Sequence, residues 1–484
     1  APSTYGDVFF SGDSRWHTAL VGTLRGGGQG LFALDITDPK GVSGLGYPTF
    51  SEASAGELVL WEFSDADDAD LGYTFGKPVI VRLQNGKWGA VFSNGYNNTA
   101  NDGNVSATGN AVLYIVDVET GALIRKLDTG VGMVDDPLTT GRPNGLAAPA
   151  VVDLDGDYVA DAVYAGDLFG NMWKFDISGS STATWKVVTG ADTNPKPLFV
   201  SKDANGNRLP ITSAPAVGSH PDSSVGAGDV LVYFGTGKYF ENTDNDPTGQ
   251  NTQSFFSIWD KGSTAGVWDT GSANADRSNL LQQSILAEAS VGEYNYRLVS
   301  EETIRWRPDY EADGVTVKED ADGNPLNAHT GWFIDLLNTQ DGNTNNFGER
   351  VIYEPIIRND RIIFTTLIPS MDVCAAGGSG WLMEMSAISG GRLPDSPFDV
   401  NNDGNFDEND LVDYGDEGNE ESGGWQKEGG GIPTKPAISD DPTSCEDGQC
   451  SEKKFIGTST GVIETVTESS AAAAQGRQSW REVN

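Results

Sequence analysis

Residues 147–179 read AAPAVVDLDGDYVADAVYAGDLFGNMWKFDISG and contain three apolar runs separated by turns. The first run opens after Pro149 and ends in an acidic loop, the second closes on Gly166, and the third ends in Asp176 before another turn. Short apolar runs bounded by Gly, Pro and Asp are typical of β-strands. A proline at the start of a strand costs little, because its missing N–H need not interrupt the hydrogen-bond ladder there. The segment therefore predicts three consecutive strands.

Both halves of this segment recur along the chain. A strand that ends in an acidic or equivalent residue and a turn recurs at residues 30–39, 110–121, 254–262, 331–338 and 380–391. A proline-opened strand followed by a strand that closes on glycine recurs at residues 76–95, 213–237 and 434–461. Together the two patterns predict a four-stranded antiparallel unit. Six or seven such units favour an all-β fold, a modified β-propeller with long inter-blade loops, because a propeller leaves few open strand edges. Stacked β-sandwiches are the alternative.

One segment has a helical rather than a strand-like pattern. In ADRSNLLQQSILAEAS, residues 275–290, the apolar residues Leu280, Leu281, Ile285 and Leu286 have the spacing of one helix face. We therefore expect a short helical excursion between two blades.

Composition excludes several classes of protein. The 484 residues include 31 Lys and Arg against 70 Asp and Glu, which gives a formal net charge of −39. We expect no nucleic-acid partner, because binding a phosphate backbone requires clustered basic residues. Since no run of about 18 apolar residues occurs, we also expect no membrane-spanning segment.

The three cysteines are Cys374, Cys445 and Cys450. The spacing of the last two, around a glycine, suits a small disulfide-closed loop of an exported protein. Two unrelated thiols are the alternative.

The first acidic loop, DLDGDYVAD, has the spacing of a calcium loop. Its expected ligands are the side chains at positions 1, 3, 5 and 9 and one main-chain carbonyl at position 7, namely Asp153, Asp155, Asp157, Asp161 and Val159. The loop differs from an EF-hand because Gly156 is at position 4 rather than 6 and Tyr164 is at position 12. Because strands flank it, we predict a calcium-binding hairpin of a β fold. A solvated acidic turn is the alternative.

The second acidic loop, DVNNDGNFDEND, matches the twelve-residue calcium template more fully, with Gly404 at position 6. Its expected ligands are Asp399, Asn401, Asp403, Asn405 through its carbonyl, Asp407 and Asp410. Asp410 at position 12 is shorter than the usual Glu. The loop lies in an acidic insertion at about residues 387–431, and an ordered acidic loop without an ion is the alternative. Magnesium fits neither loop well, because it prefers a strict octahedron with several waters.

Catalytic patterns are weak, and we predict that the chain is not an enzyme. Its three histidines, His17, His220 and His329, are isolated from one another, and no G-x-S-x-G motif occurs. The alternative is a quinoprotein-dehydrogenase-like propeller, which also combines a propeller with calcium. That class often has a pair of adjacent cysteines, and no two cysteines are adjacent here.

The chain resembles the C-terminal region of the PilY family of type IV pilus proteins. The segments that carry the resemblance are residues 16–39, 147–176, 232–260, 348–392 and 476–484. The resemblance implies a single modified β-propeller domain over residues 1–484, without the variable N-terminal half of the family. It also implies that calcium at the segment matched by Asp153–Asp161 controls pilus extension and retraction.

The same resemblance implies partners and a location. The expected partners are major and minor pilins, the pilus assembly machinery, and host-cell or abiotic surfaces to which the pilus adheres. The expected location is outside the cytoplasm, in the periplasm, at the outer-membrane surface and at the pilus tip.

Overall fold

The computed structural model describes residues 3–188, 195–222, 229–261, 277–311, 315–319, 326–342, 346–372, 376–446 and 449–470. Strands dominate this part of the chain. One short α-helix is present in it, α1 at Ala55–Leu58. Short 3-10 helices occupy Arg25–Gly27, Glu52–Ser54, Met133–Asp135, Thr182–Thr184, Arg277–Asn279, Gln340–Gly342, Glu408–Asp410 and Gly415–Glu417. No helix among the described residues is both long and apolar enough to cross a bilayer.

The first three sheets are antiparallel and follow the chain in order. The first contains β1 (Ser3–Phe10), β2 (Arg15–Thr23), β3 (Gly30–Asp35) and β4 (Val59–Ser64). The second contains β5 (Val79–Arg82), β6 (Trp88–Ser93), β7 (Val112–Asp117) and β8 (Leu123–Asp128). The third contains β9 (Ala150–Val152), β10 (Ala162–Gly166), β11 (Asn171–Asp176) and β12 (Lys186–Val187), with β13 (Phe199–Val200) also paired to β11.

The fourth and fifth units are joined into one ten-stranded sheet. The fourth contains β14 (Ala216–Ser219), β15 (Val230–Gly235), β16 (Ser254–Asp260) and β19 (Gly331–Asn338). The fifth contains β20 (Ile356–Arg358), β21 (Arg361–Thr365), β24 (Leu382–Ser386) and β27 (Gly424–Lys427). Between them lie β17 (Leu281–Val291), which pairs in parallel with β19, and β18 (Tyr294–Val299), which pairs with β27.

The sixth unit has three strands, β28 (Ala437–Glu446), β29 (Gln449–Gly457) and β30 (Ile463–Ser469). Two small hairpins lie within connections of the fifth unit: β22 (Ile368–Pro369) with β23 (Gly378–Ser379), and β25 (Val412–Asp413) with β26 (Asn419–Glu420). The described residues thus form six blade-like units. The side chains of Cys374, Cys445 and Cys450 lie outside the described residues, so the expected disulfide stays a prediction.

The recurring patterns correspond to fixed strands of each unit. The proline-opened pattern forms the first two strands, because β5, β9, β14 and β28 each begin directly after a proline. The acid-ended pattern forms the third strand at β3, β7, β11, β16 and β24. The segment at 331–338 differs, since β19 is the fourth strand of its unit. The predicted all-β modified propeller is therefore confirmed.

The expected helical excursion is wrong over residues 281–290, which form β17. Its burial alternates with the period of a strand, and Gln283, Ile285 and Ala287 are the buried side chains. The amide of Gln283 is fully buried but donates to the carbonyls of Glu302 and Ser389. A helix-like apolar spacing was therefore overridden by strand pairing on both sides and by a buried polar residue with partners.

Five apolar clusters hold the units together, one between each successive pair. For example, Trp173 and Trp185 of the third unit pack with Leu113 and Ile115 of the second. The fully buried Trp332 of the fourth unit packs in the cluster that it shares with the fifth. Each unit between the first and the sixth thus buries apolar side chains on both of its faces.

A buried ionic network joins the fifth and sixth units. The ammonium of Lys454 on β29 lies 2.6 Å from Glu384 Oε2 on β24 and 3.0 Å from Glu452 Oε1, and it also contacts Glu468. Arg361 Nη1 lies 2.6 Å from Glu384 Oε1. Burial opposes ionisation of Glu384, but Lys454 and Arg361 outweigh it and lower its pKa to about 2. Burial and the charge of Glu384 raise the pKa of Glu468, so we infer that Glu468 retains the proton of this pair.

We expect Lys454→Met to lower the free energy of unfolding by about 3–5 kcal/mol, because it leaves the Glu384 carboxylate buried with fewer partners. The matched control is Lys453→Met at the neighbouring exposed position, where the expected change is below about 1 kcal/mol. Urea unfolding monitored by tryptophan fluorescence measures both. Equal changes for the two variants would contradict a structural role for the network.

Candidate metal centre

The first acidic loop connects β9 to β10 in the third unit. Asp161 N donates to Val152 O over 2.9 Å, which closes the base of the loop. Ala160 N donates to Arg82 O of the second unit over 2.9 Å. The loop is therefore anchored both to its own sheet and to the end of β5 in the neighbouring unit.

Three carboxylates of this loop converge. Asp153, Asp155 and Asp161 each offer an oxygen, and these oxygens lie within 4.8 Å of one another. Among the described residues this is the one group of three such side chains found that could hold a metal ion. Asp157, another expected ligand of the loop, lies outside this cluster, and the expected ligation by the Val159 carbonyl stays a prediction.

Main-chain amides fix the orientation of the carboxylates. Asp153 accepts hydrogen bonds of 2.7 Å from the amides of both Gly156 and Tyr158. Asp155 Oδ1 accepts from Asp157 N over 3.1 Å, and Asp157 Oδ1 accepts from Val159 N over 2.8 Å. These side-chain-to-backbone turns hold the loop in a tight curl.

Asp161 is the buried member of the cluster. Its Oδ2 accepts from Leu154 N over 2.8 Å, and its Oδ1 accepts from Gln84 Nε2 over 3.3 Å. Burial raises the pKa of Asp161, and the charges of Asp155 and Asp153 raise it further. A cation at this point would offset that repulsion. Converging carboxylate oxygens are hard ligands, so the donor set fits calcium.

The second acidic loop has the same pattern of turns. Asp399 accepts from the amides of Asp403 and Gly404, each over 3.0 Å. Asn401 Oδ1 accepts from Asp403 N over 2.8 Å, and Asp403 Oδ1 accepts from Asn405 N over 2.8 Å. The side chains at positions 3 and 5 thus make corresponding bonds in the two loops. Position 1 accepts from the amide of position 6 in both loops, and also from position 4 in the first loop and position 5 in the second.

The acidic residues that close the two loops, Asp161 in the first and Asp410 in the second, are also structurally equivalent. Asp410 is buried and accepts from Val400 N over 2.7 Å, as Asp161 accepts from Leu154 N. Both amides belong to position 2 of their loops. Position 9 of the first loop therefore corresponds in structure to position 12 of the second, a match that residue counting did not reveal. Burial raises the pKa of Asp410, to which the charge of Asp399 adds.

The backbone explains the misplaced glycine of the first loop. Positions 4 and 6 are left-handed in both loops, with φ of +83° at Gly156 and +67° at Tyr158, and +59° at Asn402 and +82° at Gly404. Each loop therefore has one glycine at one of the two left-handed positions and a larger residue at the other. Tyrosine rarely adopts this conformation, so the hydrogen bond of its amide to Asp153 helps to hold Tyr158 there.

The two loops differ in how closely their carboxylates approach. Asp403 and Asp407 are exposed, and the acidic side chains of the second loop do not form a group as close as Asp153, Asp155 and Asp161. The structure therefore brings together three of the expected ligands of the first loop, whereas calcium in the second loop stays a prediction.

Both loops lie at the same end of the propeller. The first connects strand one to strand two of its unit, and the second lies in the connection from strand three (β24) to strand four (β27). In an antiparallel sheet with this strand order, these two connections are at the same end. The end that carries both acidic loops is called the acidic end below.

Comparison with known proteins identifies the family. The model of the PilY1 β-propeller domain matches residues 5–293. The chain belongs to the PilY1 β-propeller family. The type IV pilus biogenesis factor PilY1 of Pseudomonas aeruginosa PAO1 is 32% identical over 497 aligned residues, which cover 99% of this chain and 36% of that protein. The Xylella fastidiosa PilY1 homolog is 37% identical and covers 80% of this chain and 23% of its own length.

A solved structure agrees with this assignment. The crystal structure of the P. aeruginosa PilY1 C-terminal domain matches with a TM-score of 0.70 and 30% identity, covering 97% of this chain and 84% of that one. The resemblance noted in the sequence is therefore confirmed. The chain spans about a third or less of the length of the curated PilY1 relatives that it matches.

We expect Asp161→Asn to weaken calcium binding by about tenfold or more, because it removes the buried charge of the cluster but retains an oxygen for Leu154 N. Without calcium the variant should be more stable than the parent, since a repelled buried carboxylate is lost. Calorimetric titration and thermal unfolding of chelator-stripped protein measure the two effects. The control is Asp176→Asn, a turn aspartate of the same unit. An unchanged calcium affinity in Asp161→Asn would contradict the assignment.

We further expect chelator-stripped protein to bind two calcium ions per chain and magnesium far more weakly. Asp410→Asn should remove one of the two calcium-binding events and leave the other unchanged, since its loop is separate from Asp153–Asp161. The same calorimetric titration measures the stoichiometry. A parent protein that binds a single calcium ion, with Asp410→Asn unchanged, would show that the second loop is an acidic turn without a metal.

Proposed function

We propose that the chain is the calcium-binding propeller of a type IV pilus biogenesis and adhesion protein, and that calcium in the first loop promotes pilus extension against retraction. The observation that carries the proposal is the convergence of Asp153, Asp155 and Asp161 in a chain of the PilY1 family. The pilus part of the proposal is supported by the curated relatives, which are named as type IV pilus biogenesis factors.

Electrostatics explains how calcium would act. Without a cation, the three carboxylates repel one another across a loop that contacts the second unit through Arg82 and Gln84. Bound calcium neutralises this charge and fixes the loop against both units. A ligand that binds only the folded state at about a hundredfold excess over its Kd stabilises it by about 2.7 kcal/mol. This is a large share of a typical net stability of about 5–15 kcal/mol.

The proposed partners are the major and minor pilins and the pilus assembly machinery, with host-cell or abiotic surfaces as the targets of adhesion. The proposed location is exported, from the periplasm to the outer-membrane surface and the pilus tip. A role in assembly rather than in catalysis is supported by the names of the relatives, which are those of biogenesis factors.

The proposal is tested with Asp155→Ala introduced into the full-length protein of the native bacterium. Asp155 belongs to the cluster but is exposed, so the fold should be retained while calcium binding is lost. We expect fewer surface pili and reduced twitching in calcium-containing medium, and restored piliation when the retraction motor is also removed. Asp176→Asn is the control. Normal piliation and twitching in a variant shown to lack calcium binding would contradict regulation by calcium but not membership of the family.

A further inference from the structure

A cavity of about 1090 Å³ lies at the end of the propeller opposite the acidic loops. Its walls come from connections between strands two and three and between successive units, for example Phe169 between β10 and β11 and Arg208 between β13 and β14. These connections lie at the opposite end from those that carry the two acidic loops. The cavity is therefore separate from the candidate metal centre, and it is large enough for a small ligand.

Arg350 in the wall of this cavity is an exception among the buried basic residues. Four of the five buried Lys and Arg side chains in the described ranges have a carboxylate within 2.7 Å: Lys174 with Asp260, Arg297 with Glu349, and Arg361 and Lys454 with Glu384. The fifth, Arg350, forms no ion pair with a described residue. Buried charges are normally paired, so an unpaired one requires an explanation.

The hydrogen bonds of Arg350 leave part of its guanidinium unsatisfied. Its Nε donates to Gly348 O over 2.8 Å and its Nη1 to Lys238 O over 2.9 Å, whereas its Nη2 has no partner in the described part of the chain. Asp244 acts on Arg350 electrostatically from beyond ion-pair distance, and its carboxylate binds Lys238 at 2.8 Å and the amide of Phe240. The carboxylate of Asp244 is thus already engaged.

Arg208 is a second guanidinium in the same wall without a carboxylate at ion-pair distance among the described residues, although the buried Asp167 acts on it electrostatically. Its Nη1 donates to Asn171 Oδ1 over 2.9 Å and to Phe169 O over 3.4 Å, both of which are neutral acceptors. By contrast, Arg142, which also lines the cavity, is bound by Asp136 at 2.8 Å. In a chain with a net charge of −39, two guanidiniums that lack a carboxylate in one cavity point to an anionic ligand.

Besides these charged residues and the acidic Asp135 and Glu241, the wall supplies apolar faces and neutral polar groups. Phe75, Tyr96 and Phe240 form an aromatic cluster, with the Tyr96 and Phe240 rings stacked at 4.6 Å and Phe75 at 5.7 Å from each. Gln253 is buried, and its Oε1 has no hydrogen-bond partner among the described residues. Aromatic rings can pack against the C–H face of a sugar ring, since the face of the aromatic ring carries partial negative charge and attracts the C–H groups.

We propose that this cavity binds an acidic saccharide. Its carboxylate is held by Arg208 and Arg350, its ring packs against Phe75 and Phe240, and a hydroxyl donates to Gln253. The ligand carboxylate would pair with the two guanidiniums. The sugar ring would pack against the aromatic side chains, and one of its hydroxyls would hydrogen-bond to the amide. A simple inorganic anion would pair with the guanidiniums but would make no contact of this kind with the aromatic and amide groups.

The test is calorimetric titration of the chain with three probes at about 150 mM salt, where exposed charges are screened. The probes are a galacturonic acid trisaccharide, its methyl ester and inorganic phosphate. We expect the trisaccharide to bind, the neutral ester to bind about tenfold more weakly or worse, and phosphate to bind more weakly than the trisaccharide. Equal binding of the ester, equal binding of phosphate, or no binding of the trisaccharide would each overturn the proposal.

Variants locate the binding to the cavity. Arg208→Gln and Arg350→Gln should each weaken trisaccharide binding by about tenfold or more. Arg82→Gln is the control, because it removes the same charge from an exposed arginine at the acidic end. If Arg350→Gln fails to fold, the result for Arg208→Gln is used alone, because Arg208 is only half-buried and its substitution should leave the fold intact. Equal weakening in Arg82→Gln, or unchanged binding in Arg208→Gln, would place the ligand elsewhere and overturn the assignment.

Discussion

Burial of both faces of each sheet is the constraint on which this fold depends. In β7, for example, Tyr114 packs towards the first unit while Leu113 and Ile115 pack towards the third. A sheet that is apolar on both faces cannot leave either face in water without losing about 25 cal/mol for each Å² of apolar area. Each of these units must therefore lie between two neighbours, and successive units stack face to face around the inner strands β1, β5, β9, β14 and β20, which contact one another in turn.

This constraint determines where charge can be placed. The interior between the units tolerates a charge where it is paired, as Lys454 is with Glu384, and most of the acidic excess is left to the surface and the connections. At the acidic end, Asp161 and Asp410 are buried although burial raises the pKa of each. Main-chain amides compensate part of that cost, and the remaining repulsion in the first loop is what a cation would relieve. At the cavity end of the propeller the uncompensated charge is positive, since Arg208 and Arg350 have no carboxylate partner among the described residues.

Much of this could be predicted from the sequence because it is local. The prolines before β5, β9 and β14 and the terminal acids of β3, β7 and β11 identify strands by their own chemistry. The spacing of Asp153 and Asp155 likewise predicts neighbours in one turn. Non-local features were not predictable in this way. Residues 281–290 form a strand because β18 and β19 lie on either side of it, and no property of the segment itself indicates those partners.

The same distinction explains what was missed in the candidate sites. The equivalence of Asp161 and Asp410 depends on which amide each side chain accepts from, and the two loops differ in length by three residues. Arg208 and Arg350 are separated by more than a hundred residues and only the fold brings them to one cavity. Their lack of a carboxylate partner among the described residues follows from the three-dimensional fold and not from the sequence around either arginine. A sequence can thus indicate which residues a turn brings together, but an unpaired charge is a property of the whole fold.

The cavity and the candidate metal centre share the third unit, and this raises the question of coupling between them. Asp161 precedes β10 and Asp167 follows it at the cavity end, where the buried Asp167 accepts from Asn144 and Asn171. Coupling requires an element with two arrangements that each ligand favours differently. The residues of β10 are all buried and paired on both edges by β9 and β11, so the strand has little freedom to change. Calcium bound at the proposed site would therefore act on the contact between the second and third units rather than through β10 on the cavity.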